Sequence, residues 1–177
     1  KVIKFLSLIV PSTPLEGHMD RLTICDPWSL KQELPKICNQ IFRELGSQQQ
    51  EWTYQQCLAI DLLEAGVEEI HMEVDFPLTY KGKGVANRRA DMILDLSSGD
   101  QAIIELKAVE RMDILDRGQL EYYMHYAAID NGYLINFPHD KGFPSVTKKS
   151  HFKYDSVTAL DRTRHLLSDR PTARQIL

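Results

Sequence analysis

The sequence predicts a single α/β domain with a mixed central sheet flanked by helices. Three observations carry this. Hydrophobic periodicity along the chain switches in the order α, α, β, β, β, α, β, with no internal repeat. The segment SSGD, residues 97–100, has the composition of a tight turn and joins two strand-like runs, which makes them an antiparallel hairpin. The nearly all-apolar GYLINFP, residues 132–138, suits the middle of a sheet.

Taken in order, DPWSLKQELPKICNQIFRELG spaces Leu30, Leu34, Ile37, Ile41, Phe42 and Leu45 as one helix face and stops at Gly46, with Pro35 limiting or kinking its first turn. QQQEWTYQQCLAIDLLEAG forms a second helix with Tyr54, Leu58, Leu62 and Ala65 on one side, ended by Gly66. EEIHMEVDFPLTYKGKG is a strand running into a Gly-rich turn. NRRADMILDL and QAIIELKAV are the two arms of the hairpin, and DILDRGQLEYYMHYAAID is helical despite Gly118. After the GYLINFP strand, VTKKSHFKYDSV reads as an edge strand or loop, and TALDRTRHLLSD as a polar helix.

At 177 residues the chain suits one domain with a sizeable core. Its net charge of −4 carries no overall basic signature, so any contact with nucleic acid must rest on a local patch. Cys25, Cys38 and Cys57 are odd in number and form no close pair, which argues against a disulfide framework and a zinc site and for an intracellular setting, cytoplasmic or nuclear. The opening run KVIKFLSLIV is too short to span a bilayer, and no clear cleavage site follows it, so no membrane partner is expected. LEGHM resembles a cloning junction with Met19 as the natural start. Residues 1–18 are therefore expected to be a tag or a fused peptide, with residues 1–16 representing a protein partner that adds a strand or helix; an ordinary N-terminal strand is the alternative, and the domain proper is 19–177.

The chemistry concentrates in QAIIELKAVE. Strand side chains alternate, so Glu105 and Lys107 share one face in an otherwise apolar run. Such a pair is most often a solvated ion pair. Ile103, Ile104, Ala108 and Val109 around it, however, are unlike the alternation of a strand with one wet face. The SSGD turn puts Asp91 opposite or diagonal to Glu105. Two carboxylates converging inside a sheet raise each other's pKa unless a cation neutralises them, and Mg²⁺ or Mn²⁺ suits such oxygen ligands. Lys107 would then hold a phosphate oxygen or orient the attacking water.

RRADMILDL followed by AIIELKAV resembles the D…ExK signature of the PD-(D/E)XK nuclease superfamily. EWTYQQCLAIDLLEAG, FPLTYKGKG, ELKAV, QLEYYMHY and GYLINF, in that order, are similar to the GxxExxY family, over roughly residues 48–137. The resemblance implies a restriction-endonuclease-like core and a metal-dependent nuclease acting on DNA rather than RNA. It implies that Asp91, Glu105 and the backbone carbonyl of Leu106 bind the metal and that Lys107 assists hydrolysis. Glu51 and Tyr54 match the Glu and Tyr of the family name, and Gln119 with Tyr123 the Q-x-x-x-Y element; by their spacing, each pair shares a helix face. The Gly that opens the name pattern is Gln48 here. Arg88 and Arg89, beside Asp91, are the expected phosphate contacts, ahead of Lys81, Lys83, Arg111, Arg117, Lys148, Lys149 and Lys153. Two other readings stand beside the nuclease: an interaction module with little or no catalysis, working in a complex or as a homodimer, and a hydrolase of small nucleotides or capped ends.

Overall fold

A computed structural model describes residues 23–140 and 142–150. The expectations for residues 1–18, Lys153 and the 158–169 helix fall outside them. Helix α1, Pro27–Leu45, opens with a reciprocal cap: Ser29 N–H donates to Asp26 Oδ1 at 2.7 Å, and Asp26 N–H donates to Ser29 Oγ at 3.1 Å. Pro35 lies in its interior and does not limit the first turn, contrary to expectation. The carbonyl that Pro35 leaves without a helical donor belongs to Lys31, a residue on the exposed side of the helix.

Helix α2, Glu51–Glu64, follows, then strands β1, Glu69–Tyr80, β2, Lys83–Asp95, and β3, Gln101–Lys107. Helix α3, Ile114–Ala127, crosses over to β4, Asn131–Asn136, and β5, Ser145–Lys149, closes the sheet as an edge strand. The five strands lie in sequence order; β3 and β4 are parallel and the other neighbours antiparallel. The α/β class with a mixed sheet is thus borne out.

The core has two parts, one on each side of the sheet. Leu30, Leu34 and Ile37 of α1 and Tyr54, Leu58 and Leu62 of α2 cover Ile70, Met92, Leu94, Ile104 and Leu106. Leu120, Tyr123, Met124 and Ala127 of α3 cover Val74, Phe76, Ile93, Ile103 and Leu134 on the other. Gly132 of β4 is the point of closest approach to α3: a Cβ there would collide with Met124 Sδ.

β2 begins four residues earlier than the expected Asn87. The Gly-rich segment is itself strand, reversed through a two-residue turn at Lys81 (φ 50°) and Gly82 (φ 73°) between paired Tyr80 and Lys83. β1 and β2 therefore form a long hairpin. β3 pairs with β2 only from Met92 to Asp95, so the outer half of the hairpin leaves the sheet as a two-stranded arm.

Gln48 has φ 67°, the left-handed region in which a side chain is strained and glycine is not. A glycine at this position, just before α2, would thus relieve the backbone. Gln48→Gly should raise stability by about 1 kcal/mol, a gain of roughly 2–4 °C in thermal midpoint. Calorimetry of the two proteins checks it, and an unchanged or lowered midpoint would refute the assignment.

Candidate active site

The candidate site lies where β2 parts from β3. The hairpin keeps the register its turn implied, with Met92 opposite Ile104, but the ladder ends there, one pair short of Asp91 and Glu105. In place of a backbone carbonyl of β2, the carboxylate of Asp91 reaches across: its Oδ2 accepts the N–H of Leu106 at 2.6 Å. An extended residue in an antiparallel ladder sends its N–H and C=O toward the same neighbour, so the Leu106 carbonyl faces the same gap.

Glu105 is 1% exposed. Its Oε1 accepts from Lys107 Nζ at 2.6 Å, and its Oε2, also buried, has no hydrogen-bond partner among the described residues. Burial raises the pKa of Asp91, and the Glu51 and Glu73 carboxylates add to the rise against the pull of the Leu106 N–H and Lys107. Burial likewise raises Glu105, with Asp91 the next cause. Burial alone would lower Lys107, but Glu105, Glu51 and Asp91 together hold its pKa above the ordinary lysine value, so it stays an ammonium.

Glu51, in the first turn of α2, acts electrostatically on Asp91, Glu105 and Lys107. Glu73 was not anticipated. It lies on β1 with φ 55°, and neither it nor Asp91 takes part in the register that pairs Met72 with Met92 and Val74 with Ala90. Gln55 Nε2 donates both to Glu73 Oε1 and to the backbone carbonyl of Asp91, each at 2.9 Å, tying the break in β1 to the aspartate. Four carboxylates thus act on this gap against Lys107. An all-oxygen donor set with one buried oxygen left unpaired fits a hard divalent cation held by Asp91, Glu105 and the Leu106 carbonyl.

The remaining expected residues divide. Gln119 Nε2 donates to Tyr123 Oη at 2.9 Å, and Tyr123 Oη donates to the carbonyl of Arg89 at 2.6 Å. Tyr123 is buried, its pKa is pushed up to about 12 by burial, and it braces β2 two residues before Asp91. Tyr54 stacks on Phe137 at 4.2 Å between ring centroids and donates to the Gly46 carbonyl, a structural position. Arg89 is engaged by Asp75 at 3.1 Å and Glu73 at 3.4 Å, whereas Arg88 turns to the other face and lies 4.8 Å over the Tyr122 ring. Lys149 pairs with Glu121 at 2.8 Å.

A second group, Glu69, His71 and Asp95, has ligand atoms within 4.8 Å of one another. It sits at the end of the β1–β2 pairing away from the hairpin turn, and His71 Nε2 is 2.9 Å from Asp95 Oδ2.

Compared with known proteins, a family model described as the PD-(D/E)XK nuclease superfamily matches residues 29–148. No curated protein matches the chain. A solved structure described as "Crystal structure of SSO0001" is 19% identical with a TM-score of 0.34, over 57% of this chain and 52% of that one, so the chain spans about half the length of that match.

Two predictions follow from the electrostatics. Because the folded state holds protons on Asp91 and Glu105 that the unfolded chain releases at about pH 4, stability without metal should fall as pH rises above that value until both are ionised. Mg²⁺ or Mn²⁺ should reduce the fall, and Glu105→Gln should flatten it; a profile identical in wild type and variant would contradict the assignment. Glu73→Gln removes a neighbouring negative charge while keeping an amide oxygen to accept from Gln55, so Mn²⁺ affinity should drop; calorimetric titration checks it, and unchanged affinity would contradict the assignment.

Proposed function

Because the chain belongs to the PD-(D/E)XK nuclease superfamily, we propose that it is a metal-dependent phosphodiesterase that cuts nucleic acid, DNA ahead of RNA, and that it falls in the GxxExxY subgroup. Members of the superfamily generally use divalent metals, and no helix among the described residues is long and apolar enough to cross a membrane. The observation that carries the reading is the parted ladder, with Asp91 bound to the Leu106 N–H on one side and Glu105 paired to Lys107 on the other.

In this reading Asp91, Glu105 and the Leu106 carbonyl hold the cation. When bound, the cation supplies charge neutralisation and lowers the pKa of a coordinated water. Lys107 is an ammonium and so cannot be the base that removes a proton from water. It donates hydrogen bonds to a phosphate oxygen or fixes the direction of the attacking water, where charge builds in the transition state. Glu105 aims that ammonium and so serves both the cation and the lysine. Glu51 lies close enough to act on the same charges, and Gln119 with Tyr123 positions the strand carrying Asp91. Arg88, free of any carboxylate partner among the described residues, is the better of the two arginines for phosphate.

The test is cleavage of labelled single- and double-stranded DNA and RNA with Mg²⁺, Mn²⁺ or EDTA. Wild type should cut only with metal, and Lys107→Ala should be slower by about 100-fold or more. Lys107→Met, which keeps most of the buried stem, separates lost chemistry from lost folding. A folded wild type that cuts nothing but binds a protein partner would replace the nuclease with the interaction module.

A further inference from the structure

We infer that the outer half of the β1–β2 hairpin is an arm that grips the backbone of a polynucleotide lying across the gap, so that the substrate is a polymer and not a small nucleotide. The inference rests on the nuclease reading for the location of the scissile bond; the binding surface itself rests on the exposure and charge of the hairpin.

Every residue from Thr79 to Arg89 is exposed, although β1–β2 pairing continues to the tip. A bare two-stranded ribbon is marginally stable on its own. Its root is accordingly secured to α3: the Phe76 ring lies 4.8 Å from Tyr123 and 5.5 Å from Tyr126, and Tyr122 Oη donates to the Pro77 carbonyl at 3.2 Å. The core thus fixes where the arm starts, and nothing in the described core requires the tip.

Charge names the occupant. Between Val74 and Ala90 the only acidic residue is Asp75, against Lys81, Lys83, Arg88 and Arg89, in a chain of net charge −4. Asp75 and Glu73 engage Arg89, while Lys81, Lys83 and Arg88 make no ion pair among the described residues. The carboxylates at the gap repel a polyanion, so affinity for one has to come from beside the site, and the arm begins at Asp91 itself. Lys81 occupies a left-handed turn position where Asn or Gly is the unstrained choice, at the tip of the arm. Beside it Tyr80 is 64% exposed with Lys81 Nζ 5.4 Å from its ring centroid, so that a cation and an aromatic are presented together. Cations with an exposed aromatic describe a sequence-tolerant nucleic-acid surface.

The arm also sets a length. From Asp91 to Lys83 it extends roughly 26 Å at about 3.3 Å per residue. That equals about eight base pairs of duplex at roughly 3.4 Å each.

The experiment measures binding of labelled 6-mer and 20-mer oligonucleotides, single- and double-stranded, in EDTA over a range of salt. It compares the full chain with Lys81→Glu/Lys83→Glu and with Lys31→Glu/Arg43→Glu, an equal charge change on the exposed side of α1. Mn²⁺-dependent hydrolysis of bis(p-nitrophenyl) phosphate is followed in parallel. The arm variant should bind the 20-mer at least tenfold more weakly, with the slope of log affinity on log salt reduced by about 1.4–1.8, and should differ little from wild type on the 6-mer. The α1 variant should resemble wild type, and Lys81→Arg/Lys83→Arg should keep 20-mer affinity. Hydrolysis of the small diester should be the same in all four. Equal 20-mer affinity and slope in the arm variant and wild type, or no 20-mer binding by wild type, would overturn the inference. Loss of 20-mer affinity in the arm variant, with no hydrolysis of any substrate by wild type, would uphold the arm and sink the nuclease.

Discussion

The hydrogen bond from the Leu106 N–H to the Asp91 carboxylate is the interaction on which the site depends. Where two strands part, the backbone groups of both lose their partners, and burying such groups unpaired costs about 1–3 kcal/mol each. Here a side chain of the departing strand satisfies the strand that stays. Asp91 thereby closes the ladder chemically while leaving it open sterically, and the opening is lined by carboxylate oxygen on one side and by Glu105 on the other. The same bond fixes the position of the Asp91 carboxylate, so that ordering it adds no cost to a later binding step.

Much of this was readable from the sequence because it depends on turn length. The residues SSGD make a short turn, the turn sets the register, and the register places Asp91 across from Glu105. The apolar neighbours of Glu105 and Lys107 imply the burial of the first and the partial burial of the second for an equally local reason. Glu73 was not readable. Its approach to Asp91 comes from a left-handed residue inside a strand, and a strand assigned by alternation puts that residue on whichever face parity dictates. Arg88 and Arg89 look alike in sequence, yet tertiary packing gives one to Tyr122 and the other to two carboxylates. Pro35 misled because the cost of an interior proline depends on whether water can reach the abandoned carbonyl, and that is set by which side of α1 faces out.

The electrostatic arrangement explains why the charged set is costly to the apoprotein. Glu105 is buried with one oxygen paired to Lys107 and the other to nothing among the described residues, while Asp91, Glu51 and Glu73 add negative potential. A group of buried like charges is stabilised either by taking up protons or by taking up a cation. Protonation of Glu105 would reduce its charge-assisted hydrogen bond with Lys107 to a weaker one with a neutral acceptor, whereas a cation would leave that charge in place. In the reading proposed above, the cost in stability and the affinity for a cation have one cause.

The break at Glu73 and Asp91 also connects the site to the arm. Met72 and Met92 belong to the core under α1 and α2, whereas Val74 and Ala90, two residues further along each strand, belong to the core under α3. In a regular strand residues two apart share a face, so both strands must change faces within the same two-residue interval. That change frees Asp91 from the ladder and sends its carboxylate toward Leu106. It also turns the outer hairpin onto Tyr122, Tyr123 and Tyr126, away from the continuation of β3. A regular hairpin of the same sequence length would continue beside β3 and cover the gap. The strain at Glu73 and the hydrogen bonds of Gln55 that hold it are therefore what keep the site open and direct the basic arm beside it.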